Sequence, residues 1–304
     1  MDLLRVISQL RSKFGGFNLP ASDEALAELR ASVGFVPDDV LSLYRDHDGL
    51  RDLPESNGIR LAARLMPIAE VIEIQRAMQG IAFPTVGEVL WLWTDDNSNY
   101  CGIYIDGLLS GWLCVLDHEE PMLTPAFRSV ASFVRQLWSE TAREDGKHGA
   151  CDIPRLLREI PQTAADPKNR EKDWELSRLF LQRYRGSDDE DLRRLFAFCS
   201  ICLTPLEDTE RAKLFFTDPD TWTPEAAVRL LELRHWRGAV DELETLAREG
   251  TPNGDSAAMR LLVRMSTNQS RRAISRLKQT LEGTKLQTLE MWAGLRGSLQ
   301  PPRW

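Results

Sequence analysis

The 304-residue sequence predicts an α+β domain, a twisted and mainly antiparallel sheet with packed helices, followed by an all-α domain of helical repeats. Three observations carry this expectation. Between Val89 and Trp138, three short segments rich in Trp, Tyr, Ile, Val and Leu alternate with turn residues and lead into a helical stripe. From about residue 150 onward, apolar residues recur at helical spacing. Within that second half, two short words repeat at a fixed offset.

Taken in order, residues 1–14 read as an amphipathic helix, with Leu3, Ile7, Leu10 and Phe14 on one face and Asp2, Arg5, Arg11 and Lys13 off it. This stretch lacks the apolar core of a signal peptide. Strands are expected over 89–94, 100–105 and 111–116, with Asp106-Gly107 as a turn, since glycine tolerates positive φ. Strict alternation would place Trp91 and Trp93 on one face of the first strand, as core or sheet surface. Past Pro125, residues Phe127, Val130, Val134, Leu137 and Trp138 form one buried helical stripe.

The first domain is expected over 1–145 and the second over 150–304, because 142–150 has two glycines, mixed charge and no apolar period. Helices are expected over 152–159, 166–184, 188–203, 206–216, 224–236, 238–249, 255–265, 270–282 and 285–295. Ala226-Ala227-Val228-Arg229-Leu230-Leu231 aligns with Ala257-Ala258-Met259-Arg260-Leu261-Leu262 at an offset of 31. Ala239-Val240 and Leu243 align with Ala273-Ile274 and Leu277 at an offset of 34, and Leu192-Arg193-Arg194-Leu195-Phe196 reads as a degenerate third copy. Helix pairs at this period resemble a HEAT-type array, in which each pair buries its apolar face against the next. An irregular helical bundle is the alternative.

Charge is unevenly spread. Residues 1–150 hold 13 Lys and Arg against 22 Asp and Glu, a balance of −9, whereas the remainder holds 25 against 24 within a chain of net charge −8. An acidic domain favours a basic protein partner and disfavours direct nucleic-acid binding, although such a charge also serves solubility. Five cysteines without framework spacing suit reduced thiols, and no apolar run is long enough for a membrane span, so a cytoplasmic protein is expected.

The candidate site is a pair of acidic loops. In a meander the first and third strands end on the same side, which brings Asp95, Asp96, Asn97, Asn99 and Tyr100 towards Asp117, Glu119 and Glu120. Three readings compete for this rim. Asp95, Asn97, Asn99 and Asp106 match positions one, three, five and twelve of a calcium loop, but Tyr100 stands where glycine is needed. In the second reading Asp, Asn and Ser serve only to build the turn. The favoured reading is a partner-binding rim on a rigid sheet. Cys199 and Cys202 have redox spacing yet sit in an apolar helix, and His47 and His118 belong to no catalytic pattern, so no catalytic residue, metal or cofactor is assigned.

Further motifs suggest a family. Leu19-Pro20, Gly34-Phe35-Val36-Pro37-Asp38-Asp39-Val40, Tyr44-Arg45-Asp46-His47-Asp48-Gly49-Leu50, Met66-Pro67-Ile68 and Glu70-Val71 precede the strands in an order that resembles the SMI1/KNR4 family, also called the SUKH superfamily, over roughly residues 17–140. Asp48-Gly49 stands where the family has an Asn-Gly-like turn. The resemblance implies a SUKH-like fold and a non-catalytic immunity protein that occludes a cognate bacterial toxin. An acidic surface suits a basic toxin such as a nuclease. The alternative is a regulatory or scaffold protein that binds host partners through the helical array.

Overall fold

The computed structural model describes residues 3–56, 58–79, 81, 84–119, 122–141, 152–156, 158–162, 167–205, 208–233 and 238–295. The chain forms two compact units, Met1–Ile160 and Pro161–Arg303, and it is a mixture of helices and antiparallel sheet as an α+β sequence requires.

The first unit opens with α1 (Leu3–Phe14), α2 (Asp23–Val33) and α3 (Asp38–Asp46). Val6, Ile7 and Leu10 are the buried residues of α1. Ser22 caps α2 by accepting the Ala25 N–H at 3.2 Å. A two-stranded ribbon follows, β1 (Glu55–Ser56) with β2 (Ile59–Arg60). The main sheet is an antiparallel meander of β3 (Arg64–Leu65), β4 (Val89–Thr94), β5 (Tyr100–Tyr104), β6 (Leu113–Leu116) and β7 (Pro125–Phe127), in that order. Two helices border it. α4 (Ile68–Met78) packs on β4, and α5 (Val130–Thr141) packs on β7 and α1.

The Asp48-Gly49 turn fixes how α3, β3 and α4 meet. Gly49 has φ +63°, and a Cβ there would lie 2.5 Å from the carbonyl oxygen of Leu65. Only glycine lets the two backbones approach this closely. The Asp48 carboxylate accepts the Ile68 N–H at 2.9 Å and so caps the N-terminus of α4, where negative charge is favoured.

Trp91 and Trp93 lie on opposite faces, contrary to the alternation expected from sequence. Trp91 pairs with Gly102 and Trp93 with Cys101, so Leu92 is an extra residue in a β-bulge that resets the pleat. Trp93 packs on Phe133 of α5 with ring centroids 4.8 Å apart, whereas Trp91 meets Tyr100 at 6.3 Å. Beside the bulge, the amide of Gln75 in α4 donates to the Val89 carbonyl and accepts from the Trp91 N–H, standing in for a neighbouring strand along the part of β4 that β3 does not reach. All residues of β4, β6 and β7 are buried, and burial pushes the thiols of Cys101 and Cys114 up, the latter to about 12.

The stretch expected to open the second domain belongs to the first. Instead of a helix over 152–159 there is a 3₁₀ turn, Ile153–Arg155, containing Pro154, and then the short α6 (Glu159–Gln162), broken at Ile160. Ile153 is fully buried, and its N–H donates to the Asp95 carboxylate at 3.2 Å.

In the second unit, α7 (Pro167–Gly186) pairs with α8 (Glu190–Leu203). The Ser177 hydroxyl donates to the Ser200 carbonyl at 2.8 Å and the Ser200 hydroxyl to the Ser177 carbonyl at 2.9 Å, so the buried polar groups of the two helices satisfy each other. The next elements are α9 (Thr209–Lys213), α10 (Trp222–Leu233), α11 (Val240–Glu249), α12 (Pro252–Met265), α13 (Asn268–Thr280) and α14 (Gly283–Gly294). The helix expected over 206–216 is only α9, followed by turns; residues 206–207 and 234–237 lie outside the described residues.

The repeated words form the core of this unit. Ala226, Ala227, Leu230 and Leu231 of α10 and Ala257, Ala258, Leu261 and Leu262 of α12 are all buried, and α10 packs on α8 and on α12 while α11 packs on α13. Ion pairs repeat along the same direction: Arg194 with Asp220, Lys213 with Glu242, Glu232 with Arg260 and Arg264, and Glu244 with Arg276. These pairs join residues 26 to 32 positions apart in sequence.

Candidate functional site

The acidic loops meet at one end of the sheet. Tyr100 pairs with Thr94 of β4 on one side and Leu116 of β6 on the other, so the turn 95–99 and the segment 117–119 emerge side by side. They differ in what they expose.

Asp95 is 4% exposed and Asn99 is 1% exposed, so neither belongs to a surface rim. This corrects the expectation for both, and the cause is the turn's own hydrogen bonding. One Asp95 carboxylate oxygen accepts the N–H groups of Asn97 and Asn99 at 2.9 and 3.4 Å; the other accepts Asn99 Nδ2 at 2.8 Å and the Ile153 N–H. A carboxylate with several donors can be buried without the usual desolvation cost. Because Nδ2 of Asn99 faces Asp95, its Oδ1 faces the neighbouring loop, where it accepts the His118 N–H at 3.0 Å and His118 Nδ1–H at 2.7 Å. This fixes the histidine tautomer and joins the loops.

Asp96 and Ser98 both adopt φ +61°, a region more readily visited by Asp than by most residues. The backbone is held there from below. The Asp96 carboxylate accepts Arg64 Nε at 2.8 Å, and the same guanidinium grips Glu70 of α4 through two nitrogens, each at 2.8 Å, and the Leu50 carbonyl at 2.9 Å. Burial works against the charge of Arg64, but the hydrogen bonds to Glu70 and Asp96 prevail and raise its pKa. This clamp is a signal missed in the sequence: Arg64 stands alone between Ala62-Ala63 and Leu65-Met66, and a charge in an apolar run must find an anion.

The exposed part of the rim is Asp96, Asn97, Ser98, His118 and Glu119, with Asp117 half-buried. Asp117 accepts the Glu119 N–H at 2.9 Å, which shapes the second loop. Tyr100 is half-buried; burial, then the carboxylates of Glu70, Asp95 and Asp96, raise its hydroxyl pKa. Glu120 lies outside the described residues. Asp106 sits at the other end of β5, where its carboxylate accepts the Glu88 N–H, so it cannot join Asp95 around one calcium ion.

The other chemistry-bearing residues lie elsewhere. Cys199 and Cys202 are buried in α8. His47 is 3% exposed, lies edge-on to Phe17 at 4.9 Å, and has Nδ1 3.0 Å from Asp46. Among the described residues, no group of three or more His, Cys, Asp or Glu is placed to hold a metal ion, and no helix is long and apolar enough to cross a membrane. No protein-family model matches the chain, and no curated protein matches it.

Proposed function

We propose that the chain is a non-catalytic, cytoplasmic immunity protein of the SUKH superfamily, with a HEAT-like second unit, and that its first unit neutralises a basic toxin by covering it. One observation carries this reading: the exposed Asp96, Asn97 and Glu119 and the half-buried Asp117 are held on a rim that the buried Asp95 and Asn99 and the hydrogen bonds of Asn99 to His118 tie together. A pre-ordered acidic rim loses little entropy on binding and attracts a cationic surface at long range. The balance of −9 over residues 1–150 adds to that field.

The test is a charge-removing pair of substitutions, Asp117→Asn with Glu119→Gln, which leaves the buried network untouched. Titrating the purified toxin into this variant should give at least tenfold weaker binding and a shallower salt dependence. Unchanged affinity would remove the rim from the interface.

A further inference from the structure

A groove of about 600 Å³ crosses the second unit between the turns after α9 and the outer face of α11. Its floor is apolar, formed by Phe216, Pro219 and Leu246. Its walls carry Asp218, Asp241, Glu242 and Glu249 against one cation, Lys213. That cation is already held by Glu210 at 2.8 Å and Glu242 at 2.7 Å, and Asp218 is held by Arg193 at 3.0 Å. Asp241 and Glu249 are exposed, and both project from α11, Glu249 with Arg248 Nε 3.2 Å from its carboxylate at the helix end. The groove is therefore apolar at its base and anionic along its α11 wall.

We propose that this groove binds an extended polypeptide segment that alternates basic and apolar residues. Its volume lies within the roughly 300–1,000 Å³ of pockets that enclose a ligand. From Asp241 to Glu249 the α11 wall runs about 12 Å at the helical rise, which matches about four residues of extended chain. Alternate side chains of such a chain point to opposite sides, so apolar ones reach the floor while basic ones lie against the carboxylates. A second hollow shares Lys213, Asp241 and Glu242 with the groove but carries Arg272 and Arg276 on its far side, so the basic segment ends at Asp241. The proposal goes beyond the reading of the first unit and is independent of it.

The experiment uses the full chain and two fluorescein-labelled peptides, one alternating Arg and Leu and the other Glu and Leu, followed by fluorescence anisotropy at low ionic strength. The Arg-Leu peptide should bind and the Glu-Leu peptide should not. The pair Asp241→Lys and Glu249→Lys should weaken binding at least tenfold, and Thr245→Arg, which fills the groove from an exposed position, should do the same. The pair Glu28→Lys and Glu73→Lys makes the same charge change at exposed positions of the first unit and should leave binding within twofold. Equal weakening by both pairs, binding unaltered by the groove substitutions, or no binding to the native chain would overturn the proposal.

Discussion

The Asn99 carboxamide oxygen accepts two hydrogen bonds from His118, one from its backbone N–H at 3.0 Å and one from Nδ1–H at 2.7 Å, and so ties the β4–β5 turn to the segment after β6. Nothing else in the rim makes the two acidic loops one surface so directly. Asn99→Ala takes one of two donors from the buried Asp95 oxygen, which keeps the Ile153 N–H, and removes the acceptor of both His118 donors. It should destabilise the first unit by about 3 kcal/mol, the sum of lost and unmade hydrogen bonds, read as a lower urea midpoint. A change below about 0.5 kcal/mol would mean that the loops stand independently.

Gly49 and Gly15 share a positive φ, +63° and +65°, but only Gly49 has the Leu65 carbonyl where a Cβ would stand. Gly15→Ala should cost about 1 kcal/mol, the strain of the left-handed region alone. Gly49→Ala should cost about 3 kcal/mol or more, because the turn must also move away from β3. Thermal unfolding of the two variants side by side tests this, and equal shifts would contradict it.

His47 should make the first unit acid-sensitive. Burial lowers its pKa below the ordinary histidine value, outweighing the opposing influence of Asp46, and nearby Arg11 acts in the same direction as burial. The neutral ring is thus favoured in the fold. Its contribution is complete above a pH of about 6.5 and is lost as pH falls through the lowered folded-state value. His47→Gln should flatten the slope of stability between about pH 6.5 and 5, measured by urea unfolding at several pH values. A slope identical to that of the native chain would assign the acid sensitivity to other groups.

In the second unit, Glu232 of α10 is 2% exposed and accepts from Arg260 at 3.0 Å and Arg264 at 2.7 Å, both on α12. Glu232→Gln leaves two guanidinium groups without their anion. The expected cost is about 2 kcal/mol, reduced from the value for fully buried pairs because both arginines keep some contact with water. A lower thermal midpoint would show it, and an unchanged one would make the ladder of ion pairs energetically neutral.

Much of the fold was legible because local signals and burial agree. The strands at 89–94 and 100–104 and the repeated Ala-Ala and Leu-Leu words needed only period and composition. The misses have specific causes. A one-residue bulge at Leu92 reverses the face of Trp93, and no propensity encodes it. Asp95 and Asn99 read as surface because of their residue types, yet hydrogen bonds within the turn and to Ile153 and His118 consume both side chains. Ile153 looked like the start of a helix, but the buried Asp95 carboxylate, 58 residues earlier, draws its N–H to the sheet. The acidic groove was invisible because one wall comes from the turns after α9 and the other from α11.

The most direct measurement of the central claim is capture of partners on the tagged full chain from extracts of its native cells, at low and high salt, with the Asp117→Asn and Glu119→Gln variant run in parallel. A single basic, toxic partner, retained at low salt, released at high salt and depleted on the variant, is the predicted result. A partner that is not toxic, or one held equally by native chain and variant at both salt concentrations, would contradict neutralisation through the acidic rim.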